Sequence, residues 1–151
     1  MIYRFDPKNG KLRLKDGQHF EAKPGAGPRH FKFHPNSRYA HLINELDFTL
    51  VTLSYDEESG TLTEIQTVST LPEDFEGKST CGEVQVSPSG GYVYGSNGVH
   101  DSIVIYRIDP RTGELSYVAH ESSRGKTPGH FSIDPTGRFL LVANRDSRTP
   151  R

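Results

Sequence analysis

The sequence is short of cysteine and of long apolar runs. Cys81 is the single cysteine in 151 residues, which excludes an internal disulfide and any cysteine-rich zinc or iron–sulfur site. The longest clean apolar run covers residues 139–143, far below the roughly 18 residues that a membrane span needs. The N-terminal residues lack the basic start and apolar stretch of a signal peptide. We therefore expect a soluble protein in a reducing, cytoplasmic setting.

An excess of one charge and a large apolar fraction are also absent. The 18 basic and 19 acidic residues give a net charge of -1, so no global field recruits nucleic acid or an acidic membrane surface. Hydrophobic residues make up 32%, below the roughly 45–50% apolar share of typical globular chains. Aromatic residues at 10% argue against simple disorder. The 15 glycines and 10 prolines indicate many short segments and turns, as in all-β proteins.

What the sequence does have is an internal repeat. Pro35, Pro88 and Pro135 are spaced 53 and 47 residues apart. Each is followed four positions later by an aromatic residue and nine positions later by an asparagine: Tyr39, Tyr92 and Phe139, then Asn44, Asn97 and Asn144. A second motif, glycine with leucine two positions on, recurs at Gly10, Gly60 and Gly113. Periods near 50 residues are typical of propellers and solenoids.

Each repeat contains four predicted strands. In the first complete unit these cover 30–34, 38–43, 49–54 and 62–68, separated by residues with turn chemistry. Four antiparallel strands per repeat form the blade of a β-propeller. We therefore predict an all-β fold over 1–151, a partial β-propeller of four-stranded antiparallel blades.

The predicted units amount to about three blade-equivalents. Residues 1–15 end one blade, 30–68 and 83–120 form complete blades, and 129–147 start a further one. Propellers close with roughly 4–8 blades. We therefore interpret the chain either as part of a larger propeller or as a chain that must assemble with others to close one. The open blade edges predict self-association.

The repeat register also locates a candidate site. In a radial blade the innermost strand lines the channel, and its leading loop lies at the same mouth as the loop between the second and third strands. The register aligns position 30 with positions 83 and 130, and position 45 with positions 98 and 145. The polar residues expected at one mouth are therefore His30, Glu45, Glu83, His130 and Arg145, with His100 and Asp101 just beyond. Polar residues that merely solvate the mouth are the alternative.

Three further patterns do not support a site. Gly125-Lys126-Thr127 ends like a P-loop, but His120 occupies the position of its first glycine. His30 and His34 are four residues apart on one predicted strand. Their side chains would lie about 13 Å from each other, which is too far for them to share a metal ion. Cys81 has no activating base in the sequence, which favours a partly buried thiol over a nucleophile. These patterns predict no metal site and no nucleotide-binding loop.

The motifs resemble a known family. They are Gly-Pro-Arg-His at 27–30 with Asn-Glu-Leu at 44–46, Gly-Glu-Val at 82–84, His-Asp-Ser-Ile at 100–103, and the run from Thr127 to Asn144. They are similar to the propeller-type 6-phosphogluconolactonases, whose relatives include the carboxy-muconate lactonising enzymes. The resemblance covers about 27–147 and implies a seven-bladed propeller of which this chain forms an internal part.

The resemblance implies hydrolysis of 6-phosphogluconolactone to 6-phosphogluconate in the pentose phosphate pathway, without metal or cofactor. Opening a lactone needs a base for water, donors for the oxyanion and cations for a phosphate. We assign the catalytic roles to four residues: Glu45 or Glu83 activates water, His30 binds phosphate or oxyanion, and His100 is an auxiliary donor or acid. The expected substrate-binding residues are Arg29, Asn44, Asn97, Asp101, His130 and Arg145.

Two positions depart from the family pattern. Gly98, or its neighbour, and Gly129 stand where the family commonly has arginine. Without these two arginines the site has fewer cations for a phosphorylated substrate, which predicts either a different lactone as substrate or weakened catalysis. It also keeps two alternatives open: a non-catalytic propeller that binds a protein or metabolite, and a muconate-type lactonising cycloisomerase.

Overall fold

The computed structural model describes residues 1–15 and 19–147, a part of the chain that contains strands and no helix. The first half of this part contains six strands: β1 (Tyr3–Asp6), β2 (Lys11–Leu14), β3 (Pro28–Phe33), β4 (Tyr39–Asn44), β5 (Thr49–Asp56) and β6 (Thr61–Ser69). The second half contains β7 (Cys81–Val86), β8 (Tyr92–Asn97), β9 (Ser102–Ile108), β10 (Leu115–Ser122), β11 (Pro128–Ile133) and β12 (Leu140–Asn144).

The strands form antiparallel sheets in which chain neighbours are sheet neighbours. β3-β4-β5-β6 and β7-β8-β9-β10 are four-stranded, whereas β1-β2 and β11-β12 are two-stranded. Within the first four-stranded sheet, each strand end lies within two residues of the position predicted from the sequence. The prediction of an all-β fold with four-stranded antiparallel blades is confirmed. β7 contacts β3 on one side and β11 on the other, so the first strands of the three sheets lie side by side.

The repeated glycines and prolines form the turns. A proline follows the first residue of each turn between the first and second strands, and the fourth residue donates its backbone N–H to the first, as in Gly90 to Ser87 at 2.8 Å. Between the third and fourth strands, Gly60 donates to Asp56 and Gly113 to Asp109. Both glycines have positive φ, 68° and 79°, which costs glycine little. The repeat in the sequence is therefore a repeat of turn geometry.

The apolar core lies between the two complete blades. Side chains from both sheets are buried together: Ile43, Leu50, Cys81, Val84, Val86, Val93, Val104, Tyr106, Ile108 and Leu115. Polar bonds also cross this boundary, since the Tyr106 hydroxyl donates to Ser69 O at 2.5 Å and Leu115 N donates to Gln66 Oε1 at 2.7 Å. Each blade buries its faces against its neighbours, which explains a fold built with few apolar residues.

The two half-sheets leave apolar side chains exposed. Phe5 and Leu12 are 63% and 64% exposed in the β1-β2 pair, and Phe139 and Leu141 are 65% and 63% exposed at and beside β12. An open cavity of about 860 Å³ lies between β1-β2 and the first complete blade. In the part of the chain described, no helix is long and apolar enough to cross a membrane.

Candidate functional site

The candidate site lies where the first strands of three sheets begin. In each, the pairing with the second strand shifts at the start of the strand: between Pro28 and His30, Cys81 and Val84, and Pro128 and His130. A shift of this kind is a β-bulge, which bends the strand and redirects its side chains. The three bulges place residues 30, 83 and 130 at equivalent points on adjacent strands.

Backbone hydrogen bonds tie the two loops of each blade together at this edge, which we call the mouth. Glu45 N donates to Gly27 O at 2.7 Å, Gly98 N to Thr80 O at 2.6 Å, and Arg145 N to Thr127 O at 2.9 Å. The leading loop of each first strand therefore lies beside the loop after the second strand, and the positions that the repeat register aligns are held in equivalent places.

Glu83 is the centre of the mouth. Its side chain is 8% exposed and lies between two histidines from the neighbouring strands. Oε2 is 2.6 Å from His130 Nδ1 with hydrogen-bond geometry. The same oxygen is 3.1 Å from His30 Nδ1, but that nitrogen is buried without hydrogen-bond geometry to any partner. Oε1 accepts from Val84 N at 3.0 Å. The structure thus brings together His30, Glu83 and His130.

Arg29 and Glu45 form a second group in the first complete blade. Arg29 Nη1 is 2.6 Å from Glu45 Oε1, and both side chains are 35% exposed. Arg29 is the extra residue of its bulge, and Glu45 lies in the loop that the bulge contacts. The mouth therefore offers a guanidinium that is partly accessible and already faced by one carboxylate.

The equivalent positions in the second complete blade are both glycine, and both are crowded. A Cβ on Gly82 would lie 2.9 Å from Pro128 O and 3.0 Å from Gly129 O. A Cβ on Gly98 would overlap Thr80 Oγ1 and lie 3.3 Å from Thr80 O. The backbone of Gly129, in contrast, faces open space, since the nearest atom to an added Cβ is Thr127 O at 4.0 Å. Arginine is thus sterically opposed at 98 and accommodated at 129.

His100 belongs to a separate aromatic group. Its Nδ1 is 2.7 Å from Ser102 Oγ, and its ring contacts Phe75 and His120 edge to face at 5.2 and 5.5 Å between centroids. Burial, and secondly the charge of His120, lowers the pKa of His100. Among the described residues, no hydrogen bond or ion pair joins His100 to Glu45 or Glu83, so the structure does not place it in contact with the other predicted catalytic residues.

Three of the predicted substrate-binding residues make hydrogen bonds within the fold. Asn97 has no exposed surface, and its Nδ2 donates to Thr70 O at 2.6 Å. Asn44 is 2% exposed and donates to Thr49 Oγ1 at 2.8 Å. Asp101 Oδ1 accepts from Thr127 N at 2.7 Å. These contacts fix the loops around the mouth, so the geometry favours a structural role for all three over contact with a substrate.

Arg145 lies at the mouth but faces outward. Its side chain is 73% exposed and reaches Asp146 Oδ2 at 3.2 Å. No ion pair joins it to Glu45 or Glu83 within the described residues. The Arg145 guanidinium is therefore largely exposed and is already faced by one carboxylate.

Sequence reasoning missed one residue at the centre. The buried Ser96 accepts from Glu83 N through its Oγ at 2.9 Å and thereby supports the bulge that carries Glu83. No motif marked Ser96, because the contact depends on how the bulge folds over the second strand. Cys81 is buried at the start of β7, and burial raises the pKa of its thiol to about 11, which makes it a poor nucleophile. The described residues contain no group of three side chains suited to a metal ion.

Comparison with known proteins places this geometry in context. The family model described as "Lactonase, 7-bladed beta-propeller" matches residues 1–150. The 6-phosphogluconolactonase of Bacillus subtilis is 38% identical over 146 residues, which cover 97% of this chain and 41% of that protein. A 6-phosphogluconolactonase of Formosa agariphila is 36% identical over 141 residues, covering 92% of this chain and 39% of that protein.

Two solved structures superpose on the backbone fold of this chain. The periplasmic gluconolactonase of Pseudomonas aeruginosa superposes with a TM-score of 0.87 at 34% identity, over 96% of this chain and 40% of that one. A protein of Lactobacillus plantarum superposes with a TM-score of 0.87 at 29% identity, over 95% of this chain and 41% of that one. The chain thus spans about two fifths of the length of the proteins it matches. Because one of them is periplasmic, the cytoplasmic location stays a prediction.

Proposed function

Because the chain belongs to the lactonase family of seven-bladed β-propellers, we propose that it provides part of the site of an enzyme that hydrolyses a sugar lactone, 6-phosphogluconolactone to 6-phosphogluconate. The observation that carries the proposal is the mouth itself, where the buried Glu83 faces His30 and His130 beside the Arg29–Glu45 pair. The blades at 30–68 and 83–120, with partial blades at 1–15 and 129–147, would be its share of the seven.

The chemistry of lactone opening fits these groups. Water must lose a proton as it attacks the carbonyl carbon, and the carbonyl oxygen becomes an oxyanion that needs donors. Arg29 supplies a cation whose fork geometry suits phosphate. At 35% exposure its side chain is open to a ligand. His30, 39% exposed beside Glu83, supplies a second donor. Neither role needs a metal or a cofactor.

One observation favours a second function. The two crowded glycines, Gly82 and Gly98, leave the central blade without side chains at two mouth positions. A propeller that binds a metabolite or a protein without catalysis needs no cation there. No observation favours a muconate-type lactonising cycloisomerase over these two functions.

Base uptake at constant pH tests the proposed function. Each lactone that opens yields a carboxylic acid that ionises, so hydroxide consumption counts turnovers directly. We expect the chain to accelerate hydrolysis of 6-phosphogluconolactone over the spontaneous rate, and to act more weakly on gluconolactone, which lacks the phosphate. Arg29→Gln should remove this preference. Equal rates with and without the chain, under conditions where it is folded, would contradict the proposal and leave the binding function.

The sheet edges support self-association as a further part of the proposal. Within the described residues, β1 and β12 each have one edge without a strand partner. Residues 3–7 repeat the sequence pattern of 106–110, and β9, which contains Tyr106, pairs with β8. β1 is therefore built to pair with a strand such as β12, the equivalent of β8, and β12 of a second copy is available.

A further inference from the structure

The contact between Glu83 and His130 has the form of a carboxylate–imidazole pair. We propose that His130 is the general base of the lactonase reaction and that Glu83 is the residue that positions it, an inference that rests on the function proposed above. His130 then activates water through Nε2, while the Glu83 carboxylate holds the proton of Nδ1. Neither the family resemblance nor the repeat register assigns His130 this role.

The contact with Glu83 fixes the tautomer of His130. A carboxylate only accepts hydrogen bonds, so His130 Nδ1, at 2.6 Å from Glu83 Oε2, must carry the proton. In the neutral ring the other nitrogen is then a bare acceptor. This is how a buried carboxylate sets the tautomer of a catalytic histidine in hydrolases.

The Nε2 edge of the His130 ring is the one that meets solvent. The His130 side chain is 61% exposed, although its Nδ1 edge faces the buried Glu83. Nε2 of His130 has no hydrogen-bond partner among the described residues, and it is not one of their buried unpaired atoms. The basic nitrogen therefore faces the open mouth, where a water molecule and a lactone can both reach it.

Glu83 itself is enclosed and hydrogen-bonded, which makes it unsuited to be the base. Its side chain is 8% exposed, Oε1 accepts from Val84 N, and Oε2 accepts from His130. Both oxygens already accept a hydrogen bond and the side chain is nearly closed to solvent, so Glu83 is poorly placed to take a proton from water. Glu45 is more accessible, but one of its oxygens is paired with Arg29 at 2.6 Å.

His30 and His130 differ in their contact with Glu83 and in their exposure. Both have Nδ1 near the same carboxylate oxygen, but only His130 makes a hydrogen bond to it. His30 Nδ1 lies 3.1 Å from that oxygen without hydrogen-bond geometry. His130 is also the more exposed ring, 61% against 39%. Of these two histidines, only His130 has both a hydrogen bond that fixes its tautomer and a ring that is mostly exposed to solvent.

The reaction follows from this arrangement. His130 Nε2 takes a proton from water while the water oxygen forms a bond to the lactone carbonyl carbon, whose π electrons move to the carbonyl oxygen. When that oxygen re-forms the double bond, the bond to the ring oxygen breaks. The leaving ring oxygen takes the proton back from Nε2 and becomes a hydroxyl group. The product is an open-chain hydroxy acid, which ionises to its carboxylate, and His130 returns to its neutral form.

The tautomer is measured without turnover, by ¹⁵N NMR of the imidazole rings at neutral pH. We expect His130 to show a protonated Nδ1 and a bare Nε2, and this pattern to be lost in Glu83→Gln. His19 provides the matched control, because its exposed ring meets Glu21 through Nε2 at 2.7 Å and should show the opposite tautomer. A protonated Nε2 on His130 in the unchanged protein would overturn the proposal.

Steady-state kinetics test the catalytic role. General-base catalysis is worth about 10²–10⁴-fold, so we expect His130→Gln to lower kcat at least a hundredfold while KM stays within about threefold. Added imidazole should restore part of the activity to His130→Gly. Glu83→Gln should also lower kcat rather than raise KM; if it does not fold, Glu83→Asp, which keeps the charge, replaces it. His19→Gln should retain the original kcat.

The possible results are distinguishable. Turnover by the unchanged chain together with an unaffected kcat in His130→Gln overturns the role of His130 and leaves the lactonase function standing. No turnover by a chain that shows the protonated Nδ1 overturns the lactonase function and the catalytic role with it. Both expected results together, the tautomer and the kcat loss without a KM change, establish the pair.

Discussion

At the scale of residues, equivalent positions in the repeat divide into two kinds. Asn44, Asn97 and Asn144 are identical, and all three donate hydrogen bonds from Nδ2 near the end of a second strand, two of them to the chain that leads into the blade. Positions 30, 83 and 130 differ from blade to blade and meet at the mouth. A residue that every blade needs supports the blade, whereas one that differs can serve a single site.

His41 is a buried histidine outside the mouth that makes the stability of the fold depend on pH. It is completely buried in β4, with Nδ1 at 3.2 Å from Thr52 Oγ1 and Nε2 unpaired. Burial, with the charge of His34 as the smaller cause, lowers the pKa of His41 to about 4 from 6.5. Between these values the unfolded chain takes up a proton that the folded chain does not. The free energy of unfolding is therefore unaffected by His41 above pH 6.5. It falls as the pH drops from 6.5 toward 4, because protonation of His41 favours the unfolded chain.

We predict that this loss reaches about 3 kcal/mol at pH 4, from about 1.4 kcal/mol for each unit of pKa difference. The measurement is the free energy of unfolding by denaturant at several pH values. In His41→Gln, which cannot titrate, the decline between pH 6.5 and 4 should be smaller by that amount. His19→Gln, a change at an exposed ring, should keep the original decline. Identical pH dependence in the unchanged protein and His41→Gln would contradict the assignment.

At the scale of elements, the sequence predicts the strands and turns because their signals are local. Proline, aspartate and glycine fix the turn geometry, and apolar residues between them form the strands, so strand ends are placed within two residues in the first complete blade. The proximity of Arg29 to Glu45 follows from the register of one blade alone. The enclosure of Glu83 does not, because it depends on side chains from two neighbouring blades and on Ser96 beneath the bulge.

The two glycines that stand where the family commonly has arginine give a prediction at this scale. Arginine at position 129 enters open space beside Thr127 O, whereas arginine at 98 collides with Thr80. We expect Gly129→Arg to change the free energy of unfolding by less than about 0.5 kcal/mol, as surface substitutions do. Gly98→Arg should cost about 1–3 kcal/mol, the usual effect of overpacking. Denaturant unfolding of the two variants side by side makes this comparison.

The same pair of variants tests the site. Gly129→Arg adds a cation beside His130 and should lower KM for 6-phosphogluconolactone more than for gluconolactone. If Gly98→Arg proves as stable as Gly129→Arg, the steric account of the missing arginines is wrong.

At the scale of the whole molecule, the residues that the structure describes form two four-stranded sheets and two two-stranded sheets. The complete blades share the apolar core, while the half-blades expose large apolar side chains such as Phe5 and Leu141. The sequence predicts this arrangement through the phase of its repeat. The open edge of β1 matches β12 in the repeat, because β1 is the equivalent of β9 and β12 the equivalent of β8, and β9 pairs with β8.

We predict that the chain self-associates through β1 and β12. Sedimentation velocity over a range of concentrations should show species larger than a monomer. Leu141→Lys places a charge on the exposed apolar face of β12 and should shift the distribution toward monomer. Lys126→Glu, a change at an exposed position away from that face, serves as the control. A chain that is monomeric at every concentration, or association unaffected by Leu141→Lys, would contradict pairing through this edge.

The account as a whole depends on the mouth being a hydrolytic site. Its most direct test is the rate of base uptake from 6-phosphogluconolactone with the unchanged chain, Glu45→Gln and Glu83→Gln, each corrected for spontaneous hydrolysis. We expect acceleration by the unchanged chain and a loss well beyond tenfold in each variant, because Glu45 holds the Arg29 guanidinium in position and Glu83 fixes the tautomer of His130. Unchanged turnover in both variants would show that these carboxylates take no part in the reaction.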